Sequence, residues 1–140
     1  MKIKNNTTGF TLIELLVVLA IISLLASVIF ASVGSIQKKS RDARRMEDVN
    51  SLVKALSIYQ TGRNRYPVST STITLDGTDD VSLALIDDAA ISQIPMDPLA
   101  PDYTYTYETN SIGNDFTIYF CLEGNSVPGY AEGCVNSITP

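Results

Sequence analysis

The chain has 140 residues, with ten Lys or Arg against fifteen Asp or Glu and a formal net charge of −5. That length suits one small domain plus an extension. His is absent, which removes the usual base of a nucleophile pair and the commonest metal ligand. No phosphate-binding Gly loop or zinc-type Cys cluster is present, and the neighbouring acids Asp87 and Asp88 fall on different faces of a helix. The composition therefore argues against an enzyme and indicates no cofactor.

The net charge conceals a split. All ten bases lie at or before Arg65, and from Tyr66 onward there are eleven acids and no base. Two readings stand: one half attracts the other half of a second copy, or an acidic surface keeps a secreted domain soluble.

Residues 1–9, MKIKNNTTG, form a short polar leader carrying Lys2 and Lys4. Phe10 to Gly34 is an apolar run with one ionisable residue, Glu14, and no Pro. A helix crosses a bilayer core with about 20 apolar residues, so this run predicts a transmembrane helix over 10–34. A carboxylate at mid-bilayer costs about 2.5–3.5 kcal/mol and marks a functional site. The leader also resembles a secretory signal, but the apolar region is too long and no small-x-small cleavage site follows.

Gly9-Phe10-Thr11-Leu12-Ile13-Glu14 resembles the processing site of type IV pilins and of the pseudopilins of type II secretion systems. The resemblance implies a prepilin cut by prepilin peptidase between Gly9 and Phe10, with N-methylation of the new Phe10 amine. It also implies a subunit that polymerises through its apolar helix, with Glu14 serving assembly. Phe10 and Glu14 at i and i+4 share a helix face, so the acid can meet that amine on its own chain or on a neighbour's. Opposite charges that are each costly alone in low dielectric are tolerable together. The plainer alternative is a carboxylate near enough to the helix end to reach headgroup water.

Small residues recur at Ala20, Ser23, Ser27, Ala31 and Gly34, along one face. Small residues let helices approach closely in lipid, so this stripe predicts a helix contact face. Many members of the resembling family carry Pro near Ala31, where the chain unwinds on assembly; its replacement leaves such unwinding open.

Residues 35–61 continue as an amphipathic helix, with Ala43, Met46, Val49, Leu52, Val53, Leu56 and Tyr59 spaced by threes and fours. Gly62 is the expected stop. Five bases, Lys38, Lys39, Arg41, Arg44 and Arg45, follow the apolar run. By the positive-inside tendency they would hold the following domain in the cytoplasm, against the family's orientation. The motif's specificity and the Cys pair favour the family's topology, with the N-terminus inside the cytoplasmic (inner) membrane and the domain outside. Asp42, Glu47 and Asp48 offer the bases local partners. A nucleic-acid partner is not indicated, since no aromatic residues interleave with the bases.

Residues 62–140 read as a β-rich head. Ser69–Ser82 is a polar connection with a short strand at Thr72–Leu75. Asp76, Asp79 and Asp80 are weak calcium candidates, in line with acidic-loop calcium binding by major pseudopilins, but their spacing is not that of an EF-hand. A turn with solvated acids is the simpler reading. A short helix is expected over Val81–Ala90, capped by Ser82, with Leu83, Leu85 and Ile86 inward. Ile94-Pro95-Met96-Asp97-Pro98 must be extended. Tyr103, Tyr105 and Tyr107, then Phe116, Ile118 and Phe120, alternate with polar residues as two strands of a hairpin around 110–114. A third strand is expected near Val127 or Val135. Cys121 and Cys134 allow one disulfide, which the pilin resemblance supports; free thiols are the alternative.

The fold class that follows is α+β: a long N-terminal helix, membrane-spanning in its first half, packed on a small antiparallel sheet in a pilin-like way. The function implied is a structural subunit of a type IV pilus-like filament. The alternatives are a pseudopilin of a type II secretion system and a monomeric, single-span, membrane-anchored binding domain. The partners implied are further copies of the chain, prepilin peptidase, an inner-membrane assembly platform and membrane lipid.

Overall fold

The computed structural model describes residues 9–140, so the leader bases Lys2 and Lys4 lie outside the described residues. The element order is α1 (Leu12–Arg63), β1 (Ile73–Thr74), α2 (Asp80–Asp87), β2 (Thr106–Thr109), β3 (Phe116–Leu122) and β4 (Gly133–Ile138). Two compact units divide the chain, one reaching to Gln37 and one running from Lys38 to Pro140. Helix α1 contributes to both.

In the first unit α1 is apolar over a length sufficient to cross a membrane. Its large side chains face outward, among them Leu12 at 81%, Leu24 at 68% and Phe30 at 80% exposure. The hydroxyls in this stretch are turned back onto the helix: Ser23 donates to the Leu19 carbonyl at 2.8 Å and Ser27 to the Leu24 carbonyl at 2.7 Å. Back-bonding of this kind satisfies a polar group that has no water partner.

In the second unit, α1 lies against one face of a four-stranded antiparallel sheet in the order β1-β2-β3-β4. Val49, Leu52, Ala55 and Leu56 meet Tyr107, Phe116, Ile118 and Phe120 in one core. Phe116, Ile118 and Phe120 are buried while Tyr119 is exposed, which is the period-two pattern of a sheet with one covered face. The register pairs Tyr107 with Ile118 across β2 and β3, and Phe120 with Asn136 across β3 and β4. Tyr105 and Tyr107 hide their rings and keep their hydroxyls bonded: Tyr105 donates to Asp48 at 2.9 Å and Tyr107 to the Pro67 carbonyl at 2.8 Å. Burial pushes the Tyr107 phenol up to about 12.

Several boundaries differ from the sequence-based expectation. Helix α1 begins at Leu12 rather than Phe10, and it runs through Gly62 to Arg63. The stop is Asn64, whose φ of 56° places it in the left-handed region and whose N–H donates to the Gln60 carbonyl at 2.7 Å. Ala43 is exposed, because the core-facing stripe at this level passes through Asp42 and Arg45 instead. Helix α2 is capped by Asp79, not Ser82: the Asp79 carboxylate accepts from the Ser82 N–H, and the Ser82 hydroxyl donates to it as well. Capping from Asp79 turns Val81 and Leu85 inward and leaves Leu83 at 45% exposure. Strand β2 starts only at Thr106, so Tyr103 and Tyr105 both lie outside it. The third expected strand is β4, which contains Val135, and β1 pairs with β2 as a fourth.

Gly113 makes the β2–β3 turn possible. Its φ is +70°, and a Cβ there would stand 2.7 Å from the Tyr66 carbonyl oxygen. The close approach is used: the Tyr66 N–H donates to the Gly113 carbonyl at 2.7 Å, and the Tyr66 ring meets Phe116 edge-on at 4.8 Å.

Cys121 and Cys134 form a disulfide that ties β3 to the start of β4. Their separation is 13 residues. Replacing both with Ala should lower the stability of the full chain by about 2–4 kcal/mol. Thermal unfolding in detergent, with and without reductant, measures this, and the variant should be insensitive to reductant.

Candidate functional site

The helix start is the first site. Thr11 opens α1, and Glu14 closes a loop back onto it. The Glu14 Oε2 accepts from the Thr11 N–H at 2.8 Å and from the Thr11 hydroxyl at 2.7 Å. In return the Glu14 N–H donates to the Thr11 hydroxyl oxygen at 3.4 Å. This is a capping box: the acid occupies two donors at the helix end that would otherwise lack partners. The sequence signal for it is Thr-x-x-Glu at residues 11–14, which overlaps the Phe10–Glu14 spacing. Phe10 itself is not helical, so the shared helix face expected for Phe10 and Glu14 does not exist in this chain. The two are still neighbours, lining one apolar groove with Ile13, Val17 and Val18. Among the described residues no hydrogen bond reaches Glu14 Oε1.

Gly9 and Phe10 form an exposed, non-helical approach to the cap, with Phe10 at 80% exposure. A Cβ added at Gly9 would meet nothing within 4 Å. Packing among the described residues therefore does not require Gly at this position.

A second constellation lies inside the head, and the sequence did not announce it. Arg45 has no solvent-exposed surface. Its Nε and Nη2 donate to the two Asp97 oxygens at 2.7 and 3.0 Å. Its Nη1 donates to Asp42 Oδ1 at 2.8 Å and to Glu123 Oε1 at 2.7 Å. Arg41 holds the same Glu123 through Nε and Nη2 at 2.7 and 2.6 Å. The Glu123 N–H donates to Asp42 at 2.9 Å, and the Leu99 N–H donates to Asp97 at 2.8 Å. The Tyr103 ring covers Arg45 at 5.1 Å. One guanidinium thus ties α1 to the Pro95–Pro98 segment and to the end of β3. Asp42 and Arg45 sit in line with Val49, Leu52 and Leu56, at steps of three and four. That spacing was the available clue.

The electrostatics follow from this geometry. Burial alone would lower the Arg45 pKa, but the bonds it donates to Asp97, Glu123 and Asp42 outweigh burial and raise it. The Arg41 hydrogen bond, opposed by burial and reinforced by Arg45, lowers Glu123 to about 2. Asp42 Oδ2 is buried with no hydrogen-bond partner among the described residues. The charge split of the sequence is therefore used inside one chain, here and at Arg63, which donates to Asp88 at 2.5 and 2.9 Å.

The acids considered for calcium serve the backbone. Asp76 accepts from the Thr78 N–H and hydroxyl at 2.8 Å each, and Asp79 caps α2. Asp80 is exposed in the first turn of α2. Among the described residues no group of three His, Cys, Asp or Glu is placed to hold a metal ion.

Two stretches of the chain match known families. Residues 4–30 match the family description of a prokaryotic N-terminal methylation motif. Residues 32–132 match type II secretion system protein G. The type II secretion system core protein G of Pectobacterium carotovorum is 30% identical over 99 residues, covering 68% of this chain and 64% of that protein. The core protein G of Aeromonas hydrophila is 33% identical over 66 residues, covering 47% of this chain and 46% of that protein. The type IV wide pilus major component PilA4 of Thermus thermophilus is 41% identical over 62 residues, 44% of this chain and 47% of that protein. The chain thus spans from about half to two thirds of the length of these relatives. No solved structure matches it.

Two predictions follow from the buried cluster. Arg45→Met should destabilise the chain by about 3–5 kcal/mol, because it leaves Asp42 and Asp97 buried without a counter-charge while Glu123 keeps Arg41; denaturant unfolding of the full chain in detergent measures this. Glu123 has a folded pKa of about 2 against an ordinary value of 4.5. Its contribution is complete above the unfolded value and is lost as pH falls toward the folded one. Stability should therefore drop between pH 4.5 and 2, and Glu123→Gln should be less stable at pH 7 and show a shallower acid drop.

Proposed function

The chain belongs to the type II secretion system protein G family, and on that premise we propose that it is a structural, non-catalytic subunit of a type IV pilus-like filament. The observation that carries this reading is the join of two matched segments, a methylation motif over 4–30 and a protein G region over 32–132. Prepilin peptidase cuts between Gly9 and Phe10 and methylates Phe10. The exposed, non-helical peptide ahead of the Thr11 cap suits a protease, which needs its substrate extended. The open space around Gly9 supports a requirement set by the enzyme rather than by the fold.

After the cut, the subunit is held in the inner membrane by the apolar part of α1, with its head outside. The assembly platform then moves it into a polymer. Contacts that do not close on themselves generate filaments. The outward-facing apolar side chains between Leu12 and Val33 leave lipid and cover those of neighbouring copies. Glu14 offers Oε1 to the Phe10 amine of a neighbour, while Oε2 stays on its own Thr11. That pairing sets axial register.

A second reading, a pseudopilin in a secretion machine, is favoured by the protein G match, which covers most of the head. The surface pilus is favoured by the similarity to a pilus component. The two share processing and polymerisation, and differ in where the fibre ends.

The test combines N-terminal sequencing with electron microscopy of sheared fibres. Gly9→Val should leave an uncut precursor, and Glu14→Val should be cut normally yet lower fibre yield by about tenfold or more, the loss of one buried charge pair. Normal cutting of the first variant, or a normal yield from the second, would overturn the assignment of that residue.

A further inference from the structure

The second unit has two layers, and each layer has an outer surface. On α1, Arg44, Lys54 and Ile58 lie opposite the core positions Val49, Leu52 and Leu56. All three are exposed, Ile58 to 56%. Neither Arg44 nor Lys54 is in an ion pair among the described residues. Glu47 is the single acid between them on this side.

The sheet's outer surface has the opposite sign. Glu108, Asp115, Thr117 and Tyr119 line one shallow concavity. The Tyr119 hydroxyl donates to Glu108 at 3.1 Å, which fixes that carboxylate. The strands that build this face, β1 to β4, carry no base of their own. The face also carries apolar surface, with Val135 at 78% and Tyr119 at 36% exposure.

Resting on the filament reading, we infer that the outer face of the sheet receives the outer face of α1 from a second copy. Arg44 and Lys54 meet Glu108 and Asp115, and Ile58 covers part of the apolar surface at Tyr119 and Val135. The two faces sit on opposite layers of one head, so they cannot meet within a single molecule. A contact between unlike faces repeats from copy to copy without closing on itself as a two-fold pair does. Charge complementarity fixes the occupant: the chain already pairs its N-terminal bases with its C-terminal acids at Arg41–Glu123, Arg45–Asp97 and Arg63–Asp88. The remaining bases and acids repeat that polarity on surfaces that only another copy can bring together.

The test uses the full chain in cells that assemble it. One variant carries Arg44→Glu with Lys54→Glu, one carries Glu108→Lys with Asp115→Lys, and one carries all four. Membrane level and melting temperature are followed to show that each variant folds. Each pair alone should lower sheared-fibre yield by about tenfold, and the four together should recover to within about threefold of the parent. In the parent background, Lys54→Cys with Glu108→Cys should give a ladder of covalent multimers in fibres. Unchanged yield in the paired variants, or no recovery in the fourfold variant, would overturn this contact while leaving the filament reading standing. A cross-link from position 54 to a different protein would overturn the second-copy assignment. A parent chain that is cut normally yet gives no fibre would overturn the filament reading and this contact with it.

Discussion

Arg45 sits where water does not reach, and the head is arranged so that it never needs to. Taking a guanidinium out of water costs several kcal/mol unless its donors and its charge are both answered. Four of its hydrogen bonds go to three carboxylates that come from three separate stretches of chain. Each carboxylate is then held by something else: Asp97 by a backbone N–H, Asp42 by the Glu123 N–H, and Glu123 by Arg41. The apolar core below could slide along a helix face with modest loss. The ion cluster cannot, because each partner accepts one geometry. It fixes the register between α1, the Pro-bounded segment and the end of β3.

That fixed register bears on the two surfaces of the head. The sheet can present Glu108 and Tyr119 outward only if Tyr107 and Ile118 stay inward, and a slip of one residue would exchange the faces. The disulfide between β3 and β4 acts in the same direction from the other side. Ion cluster, hairpin turn at Gly113 and disulfide together hold a small sheet that is covered on one side only.

Much of this was legible from the residues alone. An apolar run longer than a bilayer core, followed by a stripe at steps of three and four, permits little except a long helix with two environments. The strands around Ile118 and the hairpin turn followed from alternation. The cluster was harder to see, because a base is ordinarily solvated and its partners at Asp97 and Glu123 lie 52 and 78 residues away. Sequence spacing finds neighbours within a helix but not those brought by a sheet. The cap at Thr11 is local, a Thr-x-x-Glu spacing, and the same acid is both a helix cap and a lone charge in an apolar run. The C-terminal edge of α1 differs for a related reason: Gly62 is the better helix breaker by type, but Asn64 is where the chain turns to let Tyr66 reach Gly113.

The serines of the apolar stretch carry a last implication. Ser23 and Ser27 spend their protons on carbonyls of the turn below. Where only these hydroxyls are concerned, the helix presents the same apolar surface to hydrocarbon tails as to the sides of other helices. Moving it from one surrounding to the other breaks none of those internal bonds, so the exchange trades one set of greasy contacts for another.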